Sequence, residues 1–431
     1  MTTASNEHVI PTAVVRRAPF SENPRVGARG QRTQQRILDA ALRVFSEEGY
    51  HRSSIDRIAK VGGCSRVAFY QYFASKDDLF QHLAGQVARQ LSASTEALDP
   101  LTPNNDGWAA MRAWVARYSE TYARYQAVFN AYQTAVKDDD LLVTVAATIQ
   151  SKLATTTLPP RQLDPVVRLL LECVTHTLDV SGILGSVAAV SYPSSGVETS
   201  ITDVLHRTFF GVQPDVNVHA PAAPPPPALQ FSRALFELRQ PDDEPLDSTT
   251  AAKGTLTALL ASGRDVFVAR GYHNTRVDDV VAAAGVSHGA FYRHFRNKDH
   301  LARILTARAT RAVGTTLLEI PDTFAGNGLA GTRVLRRWLR RYNKAQVNEA
   351  AMLRVWVDAA LHDPALRAES APPLDWGRRR MARYLQPRGF GDVELDAVVM
   401  VALFGVFGAR ARPAAEVEAA AHIIERGLLG S

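Results

Sequence analysis

Residues 63–73 read GCSRVAFYQYF and residues 285–295 read GVSHGAFYRHF, and each phrase is followed two residues later by Lys-Asp. A shift of 222 residues lays Phe45–Leu79 on Phe267–Leu301 without a gap. The matches include Phe45/Phe267, Gly49/Gly271, Tyr50/Tyr272, His51/His273, Asp56/Asp278, Ser65/Ser287 and Lys76/Lys298. A fainter echo follows: Trp114 and Tyr118 answer Trp338 and Tyr342 at a shift of 224, and Leu163-Asp164 answers Leu395-Asp396 at 232. Two copies at so long a period mean a duplicated domain pair, not a solenoid. The drifting shift means loops of unequal length in a shared architecture.

The repeated segment has the grammar of short helices. Ile37, Leu38, Ala41, Leu42 and Phe45 recur at helical spacing, which predicts a first helix from about Arg32 to Glu48. Gly49 stops it. Ser53 followed by Asp56 resembles a capping box for a second helix, and Thr275 with Asp278 repeats the chemistry. That helix ends at Gly62-Gly63. Ser65 can cap a third helix running to Phe73, and Ser75 and Asn297 can each cap a fourth. Two short helices joined by a three- to four-residue turn with Gly form a helix-turn-helix, whose second helix enters a major groove. Ala68, Phe69 and Phe73, like Ala290, Phe291 and Phe295, are expected to pack inward. The expected outward set is Arg66, Val67, Tyr70, Gln71 and Tyr72 in the first copy. In the second it is His288, Gly289, Tyr292, Arg293 and His294. These are donors and small side chains suited to base edges and phosphates.

The charge is distributed to match. Net charge is +6, with 13 Lys/Arg against 7 Asp/Glu over Arg16–Arg89 and 10 against 4 over Lys253–Arg311. Positive charge therefore gathers in the two repeated segments, as polyanion binding requires. A chain that is 46% hydrophobic and 21% charged has material for real cores. Its two cysteines, Cys64 and Cys173, make neither a disulfide framework nor a zinc site, and fit a reducing cytoplasm. With no run of eighteen apolar residues, no membrane span is expected. A nucleophile elbow, a phosphate loop, HExxH and a dinucleotide fingerprint are all absent. The expectation is a protein without catalytic residues, metal or cofactor, and not an enzyme.

The string F-x-x-x-G-Y, then S/T, then G-x-S-x-x-A-F-Y-x-[YH]-F-x-x-K-D-x-L, resembles the TetR family of bacterial transcription regulators. The resemblance covers about 50 residues per copy; the remaining stretch of each half is similar only in length and helical pattern. It implies an all-α fold of two TetR-like units in tandem, each a three-helix DNA-binding domain plus a helical ligand-binding and pairing domain. It further implies that Ser53/Thr275, Ser65/Ser287, Tyr70/Tyr292 and Lys76/Lys298 touch DNA, with Ser54 and Arg276 beside them. Tyr72 stands where the family usually has His, and Cys64 where it usually has Val. Arg276 and Val281 in the second copy replace Ser54 and Ala59 of the first, so the specificity of the two heads is open.

The expected layout is a flexible tail over 1–30, helix-turn-helix domains over 31–80 and 251–302, and helical domains over 81–212 and 303–431. A Pro-rich linker over 213–250 separates the halves and leaves room for a short helix at Leu229–Arg239. Arginines 16, 17, 25 and 29 suit a minor-groove arm or a tail without a role. Trp114, Tyr118, Tyr122, Tyr125 and Phe129 form an aromatic stripe on one long helix, with Trp338, Tyr342 and Trp356 in similar register. They pack a core or line a cavity for a small effector. The partners expected are a double-stranded DNA operator and an apolar or aromatic effector. In proteins of similar sequence the last two helices of each unit pair as a four-helix bundle. Here the two halves of one chain can form it with each other as a pseudo-dimer, or two chains can bring four heads. Unlike heads imply an operator with unequal half-sites, centred about 34–36 Å apart. The competing functions are a ligand-independent architectural DNA binder and a partner-bound antirepressor.

Overall fold

The computed structural model describes residues 27–135, 140–153, 155–156, 158–187, 193–213, 215–216, 245–246, 253–321 and 329–430. Every regular element among them is helical, apart from a single bridge between Leu101 and Leu153. The expected helix at Leu229–Arg239 and arginines 16, 17 and 25 lie outside the described residues. The chain divides into two compact units, residues 1–85 and 86–431.

The first unit is built on α1 (Ala28–Glu48), α2 (Ile55–Val61), α3 (Arg66–Tyr72) and the start of α4 (Lys76–Glu96). Helix α1 begins earlier than the apolar spacing predicts, so Arg29 lies in its first turn. Its stripe of Ile37, Leu38, Ala41 and Phe45 is buried with Ile58 of α2, Phe69 and Phe73 around α3, and Leu79 and Phe80 of α4. Gly49 ends α1 at φ +76°, a conformation that a side chain would strain.

The second unit holds the rest of α4, then α5 (Asn105–Ala135), α6 (Asp140–Lys152), α7 (Pro160–Val187) and α8 (Ser194–Phe210). It continues with the second copy: α9 (Lys253–Arg270), α10 (Val277–Ala284), α11 (His288–His294) and α12 (Lys298–Leu318). The chain finishes with α13 (Leu329–Ala360), α14 (Pro364–Leu385), α15 (Val393–Gly408) and α16 (Ala414–His422), which runs into a wider π-turn at Ile423–Leu428. Helix α5 bends at Tyr125, whose φ and ψ of −114° and 21° leave the helical range.

The halves meet through α7 and α8 against α15, α16 and the π-turn. Close crossing depends on glycine. A Cβ at Gly405 would lie 2.7 Å from the His176 ring, and one at Gly427 would lie 2.3 Å from Thr208 Oγ1. Cys173 Sγ on α7 lies 3.6 Å from the Val399 carbonyl on α15. Val180 and Leu184 of α7 share a core with Val398.

Charges cross the same seam. Asp396 on α15 is fully buried and takes Arg207 of α8 at 2.5 Å and Arg388 at 2.6 Å. The Ser200 hydroxyl donates to its other oxygen. Burial alone would raise this carboxyl's pKa, but the two guanidinium groups hold it below the usual range. Arg207 also donates to the Gly427 carbonyl at 2.7 Å. At the other end, Glu172 of α7 pairs with Arg412 at 2.9 Å and Arg410 at 3.0 Å.

Replacing Asp396 by Asn leaves two buried cations without their anion. The expected loss is about 3–5 kcal/mol of stability, read by urea unfolding of the full chain. Acid should loosen the same seam earlier. Burial lowers the pKa of His422, whose Nε2 faces the Thr208 carbonyl at 3.2 Å, from 6.5 to about 4. Between those values the unfolded chain takes up a proton that the folded chain refuses, so stability falls as pH falls. The loss should be on the order of 2 kcal/mol, and His422→Gln should flatten it in melts taken from pH 7 to 4.

Candidate nucleic-acid interface

Each recognition helix has only seven residues, too few to persist alone, so its neighbours must hold it. Caps start it: Ser65 Oγ accepts from Ala68 N at 3.1 Å and Ser287 Oγ from Ala290 N at 3.2 Å. The turn before it needs glycine, with Gly63 at φ +63° and Gly285 at +66°. In the first copy Arg36 adds a clamp on this turn, donating to Gly62 O at 2.7 Å and Gly63 O at 3.0 Å. The second copy has Ala258 at the matching position and no such clamp.

The cap of α2 falls one residue later than the sequence suggests. Ser54 Oγ accepts from Arg57 N at 3.2 Å. Ser53 is buried and its hydroxyl donates to Tyr50 O at 2.7 Å. In the second copy Thr275 is likewise buried and donates to Gly271 O at 2.8 Å. There Asp279, on the first turn, accepts from Arg276 N at 3.0 Å. Ser53 and Thr275 thus turn their hydroxyls into the fold, while Ser54 and Arg276 stay exposed.

Of the expected outward residues, Arg66, Val67 and Gln71 are exposed and Tyr70 is half-buried. Val67 keeps 73% of its surface open. In the second copy His288, Gly289, Tyr292 and Arg293 are exposed, with Tyr292 at 52%. Tyr72 and His294 do not point outward: they are 9% and 1% exposed. The reason is helical period, because positions 69, 72 and 73 share one face, as do 291, 294 and 295. Arg66 leans on Asp56 at 3.4 Å, and His288 Nε2 meets Asp278 at 2.6 Å. Both copies therefore tether the first residue of the recognition helix to the first turn of the helix before it.

Lys76 and Lys298, for which the resemblance implies a phosphate contact, also serve the fold. Lys76 Nζ donates to Tyr50 O at 2.8 Å, Ser53 O at 3.1 Å and His51 O at 3.4 Å. Lys298 Nζ makes the same three bonds to Tyr272, Thr275 and His273 at 2.9, 3.1 and 3.4 Å. Each ammonium also sits over a tyrosine ring, 4.6 Å from Tyr50 and 4.9 Å from Tyr272. The neighbouring carboxylates Asp77 and Asp299 accept from the hydroxyls of those tyrosines. Burial draws the Lys76 pKa down. The repeated Gly-Tyr-His and Lys-Asp phrases are thus the two sides of one joint between the loop after the first helix and the head of the fourth.

The candidate effector residues occupy mixed positions. Trp114 lines a small cavity with Leu98, Met111, Leu171 and Phe209, too small as it stands for more than about one water molecule. Tyr118, Tyr122 and Tyr125 are buried with hydroxyl partners in Thr175, Asp179 and Gln86, and Phe129 packs against Tyr118 and Tyr122. Trp338 and Tyr342 stack with centroids 5.3 Å apart. Trp356 meets Tyr272 edge-on at 5.7 Å and so joins α13 to the second helix-turn-helix segment. Burial pushes the Cys64 thiol up, and that of Cys173 up to about 12.

Two capped pairs of short helices, each with an open second helix and basic surroundings, define a helix-turn-helix protein. The family model for bacterial regulatory proteins of the tetR family matches twice, over residues 37–83 and 259–304. The transcriptional regulator AcrR of Shigella flexneri is 47% identical over 53 residues, 12% of this chain and 25% of that protein. The transcriptional repressor Rv1474c of Mycobacterium tuberculosis is 36% identical over 92 residues, 20% of this chain and 49% of that protein. The repressor AcnR of Corynebacterium efficiens is 27% identical over 151 residues, 33% of this chain and 77% of that protein. The chain thus spans a quarter to a half of the first two relatives' own length. The N-terminal domain that defines the tetR family is thus present twice in this chain.

The lysine joint and the exposed helix face separate by experiment. Lys298→Met should lower stability by about 2 kcal/mol, seen in melts of the full chain. Arg293→Ala should leave the melt unchanged and reduce the salt slope of DNA binding by about one.

Proposed function

We propose that this chain is a DNA-binding transcriptional repressor whose two unlike recognition helices form one pseudo-dimeric reader. The observation that carries the proposal is the pair of exposed faces on one chain: Arg66, Val67, Tyr70 and Gln71 against His288, Gly289, Tyr292 and Arg293. The first presents an aliphatic side chain and an amide, suited to a thymine methyl and an adenine edge. The second presents a bare backbone at Gly289 and a guanidinium, suited to close approach and to guanine or phosphate. The bundle of α7 and α8 with α15 and α16 supports a reader completed within one chain, because the pairing surface is already occupied. Ser54, Ser65, Ser287 and Arg276 flank these faces and complete the proposed contact set. Lys76 and Lys298 act in it as positioning residues.

In the proposed cycle a small apolar or aromatic effector binds a helical domain and releases the operator. It does so only by binding the released state more tightly than the DNA-bound one. The proteins named repressor among the relatives, from M. tuberculosis and C. efficiens, support the sign of the regulation. Footprinting on DNA upstream of the gene should find two half-sites of different sequence, protected by a single chain in sedimentation. Tyr70→Ala should weaken protection of one half-site and Tyr292→Ala the other. A perfect palindrome, or protection indifferent to both changes, would overturn the reading.

A further inference from the structure

The duplication supplies an internal control for the aromatic stripe. In the first half, three residues one turn apart on α5 each have a polar partner. Trp114 Nε1 donates to Thr95 Oγ1 at 3.0 Å, the Tyr118 hydroxyl meets Thr175 Oγ1 at 2.6 Å, and Tyr122 donates to Asp179. All three are buried, so these bonds are what makes their burial tolerable.

The second half keeps the stripe and loses the partners. At the shift of 224, Trp114, Tyr118 and Tyr122 become Trp338, Tyr342 and Gln346 on α13. At the shift of 222 that relates α4 to α12, Thr95 becomes Leu317. At the shift of 232 that relates α7 to α15, Thr175 becomes Phe407. The consequences are visible along the helix. Trp338 is 4% exposed, and its Nε1 has no hydrogen-bond partner among the described residues. The Tyr342 hydroxyl reaches the Phe404 carbonyl at 3.3 Å, long for such a bond. Gln346 gives its amide to Thr316 at 2.7 Å, while its carbonyl oxygen has no donor among the described residues.

We propose that the second half, not the first, is the sensing half, and that it takes a flat neutral aromatic carbonyl compound whose oxygen accepts from Trp338 Nε1. The rings fit that class. Trp338 lies edge-on to Phe404 at 5.6 Å, and Tyr342 is stacked over Phe407 at 6.4 Å, so a ligand that parts this cluster exchanges one aromatic contact for another. A buried donor without an acceptor is unfavourable until one arrives, which gives the ligand's oxygen its affinity. Neutrality follows because a carboxylate would lose its hydration among these rings. The first half, with each of these groups satisfied from within, is scaffold. Helix α13 carries the signal, since its Trp356 packs on Tyr272 of the second DNA-binding segment.

This inference rests on the effector-released reading, and the test separates the two. Full-length chain is labelled with fluorotryptophan at its five tryptophans. It is titrated with acetophenone and, in parallel, with isopropylbenzene, a hydrocarbon of similar size that offers no acceptor. The resonance missing from Trp338→Phe should move with acetophenone, which should bind about tenfold more tightly than isopropylbenzene. Leu317→Thr, which restores the acceptor found in the first half, should erase that preference while the chain stays folded. Equal binding of the two probes, a Trp338 resonance that neither moves, or movement at Trp114 alone overturns the proposal. If acetophenone binds at Trp338 and operator DNA stays bound in a gel shift of the same sample, the site stands and effector release fails.

Discussion

A lysine closing three backbone carbonyls is the contact on which each helix-turn-helix depends. The loop after the first helix exposes the carbonyls of Tyr50, His51 and Ser53, and one ammonium has three protons to offer. Without it those carbonyls would face the head of the fourth helix unpaired, and the second helix would lose its entry angle. The recognition helix then hangs on what is fixed below it: a serine cap, a left-handed glycine and two inward phenylalanines. That the second copy repeats all three lysine bonds to within about 0.1 Å makes the joint a property of the motif and not of one copy.

The seam between the halves works on another principle. Its shape comes from apolar packing and from glycines that let α7 approach α15, while its specificity comes from charge pairs that the repeat does not mirror. Arg207 and Arg388 converge on Asp396, whereas Asp164, which answers Asp396 in the repeat, pairs with Arg168 at the surface. A seam so lopsided favours the two unlike halves joining each other over either half joining its own kind. Buried ion pairs add little net stability, but a mispaired seam would strand a charge.

Much of this was legible in the sequence. The repeat, the four-helix grammar of each copy and the caps at Ser65, Ser287 and Asn297 follow from spacing alone, and the family match agrees. Less legible was the direction of single side chains. Tyr72 and His294 read as outward partners of Gln71 and Arg293, although the spacing of 69, 72 and 73 already argued for burial. Ser53 and Ser54 are adjacent and chemically alike, so only backbone geometry decides which one caps. Lys76 suggested an anionic partner in DNA; the acceptors that the fold itself gives it are carbonyls, which leave no mark in a sequence. The partners of Asp396 lie nearly two hundred positions away or across a turn, beyond any local pattern.

Housing two unlike helix-turn-helix copies in one chain changes how they can evolve. In a protein that pairs with an identical copy, every altered residue appears twice, and both halves of the target must drift together. Here Gly289 can be replaced while Val67 is kept, so one exposed face is free to wander while the other stays as it was. A harmful change is likewise confined to one copy, where an identical pair would carry it in both.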